Sequence, residues 1–93
     1  MSDAFQWDEA KAVDNYAKHG VSFATAANIF KDPFSIERVD DREDYGEERF
    51  ILIGIVDSVV LTVVYMERDG HIRIISARRA TKTEQDDYFV ENN

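Results

Sequence analysis

Cysteine is absent from the 93-residue sequence, and proline (one), glycine (four) and histidine (two) are scarce. Without cysteine there can be no disulfides and no thiolate metal sites, a composition that suits a reducing compartment. The two histidines, His19 and His71, are isolated from one another and too few for a histidine-based zinc site. So little proline and glycine, beside 44% hydrophobic and 32% charged residues, describes a folded globular chain rather than a disordered one. The longest apolar run, around Ile51–Leu61, is interrupted by Gly54, Asp57 and Ser58 and is too short to span a membrane. Residues 1–8 hold neither the basic stretch nor the apolar core of a signal peptide, so the expected location is cytoplasmic. No glycine-rich phosphate loop, pair of catalytic carboxylates or nucleophile elbow is present, and no cofactor or metal is expected.

Positive charge is also in short supply. Eleven lysines and arginines face nineteen acids, for a net charge of −8. A surface that is acidic overall cannot bind nucleic acid everywhere, because phosphate binding draws on clustered lysine and arginine. Either the partner is basic or only one patch touches phosphate. The expected organisation is one domain, residues 1–93, burying about 60–65% of its unfolded surface.

What is present reads as (short β)-α-α-β-β-β-β-α. Phe5-Gln6-Trp7 alternates as a short strand or extended lead-in. Asp8 is a good N-cap for a helix running to about His19, with Val13, Tyr16 and Ala17 at helical spacing as its inward stripe. Gly20 ends that helix, with Lys18 and His19 lying favourably against its negative end. Ser22 caps a second helix that Asp32-Pro33 terminates, because the residue before proline is driven out of the α region. Phe34–Val39 alternates as a strand with one wet face, and residues 40–48 turn acidic. That acidic segment is either a solvated loop or a docking surface for a basic partner helix. Arg49–Val56 and Val59–Arg68 are apolar strands joined by Asp57-Ser58, and both belong in the middle of a sheet. Thr81-Lys82-Thr83-Glu84 is a capping box for a last helix whose only apolar residues are Tyr88, Phe89 and Val90, so weak packing is expected there. The fold class is α+β: two N-terminal helices on a mainly antiparallel, roughly four-stranded sheet, followed by a C-terminal helix, with the helices on one face.

The chain is organised around Tyr65 to Lys82. Asp69-Gly70 signals a type I′ turn, which needs positive φ at both central residues. From Arg68 to Lys82 five basic residues meet a single acid, Asp69, a local charge of +4 on an acidic protein. A two-residue hairpin here pairs Arg68 with His71, Met66 with Arg73 and Val64 with Ile75. Alternation then places Arg68, His71, Arg73 and Arg79 on one face and Arg78 on the other. Guanidiniums suit a phosphodiester because each offers paired donors and stays charged. The simplest metal-free cleavage of RNA uses its own 2′-hydroxyl, and needs cations for the developing charge and groups that move protons. Arg68, Arg78 and Arg79 are the candidates for the charge, and Glu67 or His71 for the protons. The plainer reading pairs these arginines with neighbouring acids, and assigns Trp7, Tyr65 and Tyr88 to the core and His19 to its helix end.

Several segments carry a resemblance over nearly the whole chain. Phe5-x-Trp7-Asp8-x-x-Lys11, Asn15, Lys18-His19-Gly20-Val21-Ser22-Phe23, Ala26 and Phe30-x-Asp32-Pro33 resemble the opening of the BrnT toxin family. So do Glu48-Arg49, Gly54, Val63-Val64-Tyr65-x-x-Arg68, Ile72-Arg73-Ile74-Ile75-Ser76-Ala77-Arg78-x-Ala80, Glu84 and Tyr88. The resemblance implies a RelE-like ribonuclease fold and metal-independent RNA cleavage that blocks translation. It also implies neutralisation by a cognate antitoxin protein, through which alone operator DNA is bound. The basic residues that match the family pattern in and after the sheet are Arg68, Arg78 and Arg79. Two segments differ from the family: the last helix is acidic (Glu84, Asp86, Asp87) where members usually carry a basic run, and the stretch before Arg49 is unusually acid-rich. Two functions therefore compete, a ribonuclease toxin of a type II toxin–antitoxin system and a catalytically weak or inactive interaction module on the same fold that binds a basic partner protein. A DNA-binding repressor acting alone is disfavoured, since no helix is basic enough to enter a groove.

Overall fold

The computed structural model describes residues 4–93; residues 1–3, part of the stretch read above for a signal peptide, lie outside the described residues. Strand β1 (Phe5–Gln6) leads into helix α1 (Glu9–His19), which Asp8 caps by accepting from the Lys11 N–H. The Gly20 N–H closes α1 on the Tyr16 carbonyl, and Ser22 caps the short helix α2 (Phe23–Ala26) through the Thr25 N–H. A 3-10 turn, Ala27–Lys31, runs on from α2 to Asp32-Pro33. Strands β2 (Ile36–Asp40), β3 (Arg49–Val56), β4 (Val59–Arg68) and β5 (His71–Arg79) follow as an antiparallel meander, and helix α3 (Lys82–Glu91) closes the chain.

Among the described residues the sheet has five strands in the order β1-β5-β4-β3-β2, not four. The extra strand is the two-residue β1, which pairs parallel to β5 through Phe5–Ile72 and Gln6–Arg73 and makes the sheet mixed. The helices also occupy both faces rather than one. Phe23, Ala26 and Ile29 pack against Leu52, Leu61, Val63, Tyr65 and Ala77 on one side. On the reverse side Tyr88 of α3 and Ala80 pack on Ile53 and Val60, flanked by Ile36, Ile51 and Ile55. Strand alternation makes this division possible, because β3 and β4 are apolar on both faces.

Helix α1 is rotated relative to the inward stripe expected from its apolar residues. Val13 and Tyr16 are exposed, at 68% and 59%, and Asn15 is buried in their place. The Asn15 amide donates to the carbonyls of Val21 and Ala77 and accepts from the Ala77 N–H. It thereby satisfies the open edge of β5 beyond the point where β1 ends, which an apolar side chain could not do.

Gly54 marks the closest approach of the other layer. A Cβ there would lie 2.9 Å from Ile29 Cγ1 and 3.1 Å from Asp32 Oδ2, so only glycine lets the 3-10 turn sit down on β3. Beside it the Asp32 carboxylate accepts from the Ile55 N–H at 2.8 Å, the Phe34 N–H at 2.9 Å and the Tyr88 hydroxyl at 2.7 Å. One carboxylate thus ties β3 and α3 together. Burial raises its pKa, but the three donors outweigh that and hold it below the ordinary carboxylate range. Burial first, and then Asp32, push the Tyr88 hydroxyl up to about 12.

Helix α3 is fastened mainly by polar contacts. The Thr81–Glu84 capping box forms as expected. Arg38 bridges to Asp87 and Glu91, and Asn92 donates to the Phe34 carbonyl, while Phe89 and Val90 remain exposed. The acidic segment 40–48 is likewise anchored at its base. Asp40 is buried and held by Arg42, which donates to both of its oxygens at 2.7 and 2.8 Å, and by the Tyr45 hydroxyl.

Candidate nucleic-acid interface

The β4–β5 hairpin pairs Arg68 with His71 and Met66 with Arg73, as its turn signal requires, and Asp69 and Gly70 both take positive φ. The expected pairing of Val64 with Ile75 does not occur. The register slips between Val64 and Tyr65, so that Val64 faces Ser76 and Tyr65 faces Ile74, with Ile75 as the extra residue of a bulge. A one-residue slip exchanges the faces of everything beyond it. Arg78 therefore joins Arg68, His71 and Arg73 on the α3 face, opposite Thr62, and Arg79 moves to the α1 face, opposite Leu61.

The five residues singled out from sequence do not converge. Arg68 and His71 are cross-strand neighbours. Glu67 pairs with Ile72 on the opposite face, beside Tyr65 and turned away from Arg68, Arg73 and Arg78. Arg78 stands six residues along the strand from Arg68, about 20 Å at strand rise, too far to share a phosphate with it. It is also engaged: its guanidinium grips Glu84 in a fork at 2.7 and 3.0 Å. Glu84 additionally accepts from the Thr62 hydroxyl and the Thr81 N–H. Arg78, ahead of the other donors, brings its pKa down to about 2 against the opposing effect of burial. Arg78 thus fixes the start of α3 to the sheet.

What the register does assemble lies at the other end of that face, which α3 leaves open. A cleft of about 200 Å³ is lined by Arg49, Met66, Arg68 and Arg73 from three adjacent strands, with Lys11 and Asp8 from the start of α1 and Glu47 from the acidic segment. Four cations meet two carboxylates there, on a chain whose net charge is −8. Asp8 is occupied as the N-cap of α1. Glu47 lies 3.1 Å from Arg49 and 3.5 Å from Arg68 and partly neutralises both. Arg49 is further held over the Tyr45 ring, at 3.9 Å. Arg73 has no carboxylate partner among the described residues, and its charge is free to meet an anion. His71 sits across from Arg68 with Nδ1 buried and unpartnered, which leaves Nε2 as the ring nitrogen facing solvent.

Arg49, Lys11 and Glu47 were not candidates on sequence grounds, and Arg73 counted only as part of the basic stretch. Arg49 follows a run of acids and opens an apolar strand; its place beside Met66 and Arg73 depends on two strand registers at once. Lys11 reaches the cleft only because Asp8 starts α1 next to β5.

Comparison with curated proteins returns no match. The sequence model of a family described as "Ribonuclease toxin, BrnT, of type II toxin-antitoxin system" matches residues 7–84, most of the chain, and the protein belongs to that family.

Proposed function

We propose that this protein is a metal-independent endoribonuclease toxin on a RelE-like domain spanning residues 1–93, acting in the cytoplasm to block translation. A cognate antitoxin neutralises it and supplies the operator DNA binding of the pair. The family membership supports the reaction class, and one observation carries the site: Arg73 is free of carboxylates in a cleft that also holds Arg49, Arg68 and Lys11. A phosphodiester laid in this cleft receives paired donors from Arg73 and Arg68. The substrate's 2′-oxygen forms the new bond to phosphorus as the bond to the 5′-oxygen breaks. His71, through Nε2, takes the 2′-hydroxyl proton, and solvent protonates the departing 5′-oxygen. The arginines stabilise the charge that builds on the phosphorane oxygens. Glu67 and Arg78 have no part in this assignment.

Arg73→Ala should lower kcat/KM for RNA about 10²–10³-fold, the usual cost of removing one donor to a developing oxyanion. Its melting temperature should stay unchanged, because no carboxylate partner is lost. Cleavage of RNA by the purified wild type, growth arrest on induction without the antitoxin, and relief on co-expression are the accompanying expectations. Full activity in Arg73→Ala would remove the cleft from the mechanism. The rival reading, an inactive module for a basic partner, draws on Glu47 already occupying Arg49 and Arg68. Healthy growth and intact RNA with a folded protein would establish it.

A further inference from the structure

Five of the seven arginines are ion-paired (Arg38, Arg42, Arg49, Arg68 and Arg78); among the described residues only Arg73 and Arg79 have no carboxylate within reach. Arg73 belongs to the cleft already described. Arg79 is exposed on the opposite face, where it lines a depression of about 500 Å³ with Tyr16, Ser22, Thr25, Val59 and Leu61. This depression adjoins a second one, of about 360 Å³, between α1 and α2, and the two share Tyr16 and Ser22. The second is lined by Trp7, Glu9, Ala12, Val13, Tyr16 and Phe23. Glu9, Ala12, Val13 and Tyr16 follow the spacing of a single helix face, and Val13 and Tyr16 are the two large apolar residues that the rotation of α1 leaves outside the core.

We propose that this groove is the docking site for one amphipathic helix of the antitoxin. The inference rests on the toxin–antitoxin reading and adds the surface and the chemistry of its occupant. The stripe from Glu9 to Tyr16 runs about 10 Å, about two turns of a partner helix, and the Arg79 depression continues it. Apolar side chains of that helix cover Val13 and Tyr16. A carboxylate at one end meets Arg79, and the end near Glu9 is neutral or basic. The separation of charge along the groove sets the polarity of the docked helix, as potentials matched across an interface fix its register. RNA is the poorer occupant, because the groove offers one free arginine beside Glu9 and Asp57 and its centre is apolar. The groove opens on the α1 side, whereas Met66, Arg68 and Arg73 of the cleft project from the other face of the sheet, so a helix bound here leaves those arginines uncovered. Inhibition then falls to the remainder of the antitoxin.

The test is calorimetric titration of the purified cognate antitoxin into the full-length wild type and into Val13→Glu, Tyr16→Glu and Arg79→Glu. Lys31→Glu, an exposed change of the same sign outside the groove, serves as the control. The expected result is at least a 10-fold loss of affinity for Arg79→Glu and for one or both of the α1 variants, with Lys31→Glu near wild type. Circular dichroism checks the fold; should Tyr16→Glu unfold, Val13→Glu carries the apolar half of the test. Affinity within 2-fold of wild type, or a loss confined to Arg79→Glu, overturns the docked helix. So does either of two other outcomes with antitoxin affinity unchanged: loss of RNA binding, or conversion of a wild-type dimer to monomers. RNA cleavage by the free variants is measured in parallel. Loss of antitoxin binding alongside a wild type that cleaves no RNA would uphold the docking site and refute the ribonuclease reading.

Discussion

Arg78, read from sequence as a candidate for the phosphate charge, and Glu84, read as a capping residue, are joined in the folded protein. A fork of two hydrogen bonds to Glu84, whose carboxylate also accepts from Thr62 and Thr81, commits most of the Arg78 charge to the start of α3. The consequence for stability is signed. Glu84 has an ordinary pKa of 4.5 and a folded value of about 2, so its contribution is complete above 4.5 and is lost as pH falls towards 2. Asp40, held near 2 by Arg42 from an ordinary 3.8, acts in the same direction over a similar window. With Arg78 partly open to solvent, the Glu84 share amounts to about 1–2 kcal/mol after screening. Arg78→Ala should therefore lower the melting temperature at pH 7, by about 4–8 °C per kcal/mol lost, and flatten the fall in stability between pH 4.5 and 2. An unchanged acid limb in that variant would show that Glu84 is not held by Arg78.

At the scale of elements, α3 shows what apolar counting misses. Three apolar residues predicted weak packing, yet only Tyr88 is buried, and the helix is held by Asp32, Arg38 and Arg78 acting on its polar side chains. Tyr88→Phe keeps the ring among Ile53 and Val60 but removes the donor to Asp32, and a hydrogen bond to a charged group is worth about 1.5–3 kcal/mol. Urea denaturation should register that loss, whereas Phe89→Ser, at an exposed site, should fall within about 0.5 kcal/mol of wild type. The turns and caps of the fold were legible in sequence because each is local: Asp8, Ser22, Asp57-Ser58, Asp69-Gly70 and the Thr81–Glu84 box all act within four residues. The parallel pairing of β1 with β5 was not, since it joins Phe5 to Ile72 and two residues carry no pattern. Nor was the bulge at Ile75, where Ile74-Ile75 offers no change of polarity to betray the slip. That slip alone decided the faces of Arg78 and Arg79, so the shared face of Arg68, His71 and Arg73 was legible and the faces of Arg78 and Arg79 were misassigned. Helix α1 was misoriented for a related reason: the amide of Asn15 was needed at a strand edge that only the folded sheet creates.

At the scale of the whole molecule, the charge distribution constrains how RNA can be held. A protein with net charge −8 repels the polyanion at long range, and attraction is greatest at the cleft of Lys11, Arg68 and Arg73, with Arg49 largely occupied by Glu47 and Tyr45. Each single-strand phosphate neutralised contributes about −0.7 to the slope of log K against log salt. Two to three such contacts give a slope of about −1.4 to −2.1, far shallower than that of a protein binding nucleic acid over its whole surface. Glu47 is the built-in competitor, bridging Arg49 and Arg68 where a phosphate would lie. Glu47→Gln removes its negative charge while keeping a hydrogen-bond acceptor in place, so Arg49 becomes available to a further phosphate. Filter binding of single-stranded RNA across a salt series should then show tighter binding at every concentration and a slope steeper by about 0.7. Parallel lines for the two proteins would mean that Glu47 does not hold Arg49 back from RNA, leaving Lys11, Arg68 and Arg73 as the whole of the phosphate contact. Coincident lines for Glu47→Gln and Arg73→Ala would move the RNA off this face of the sheet altogether.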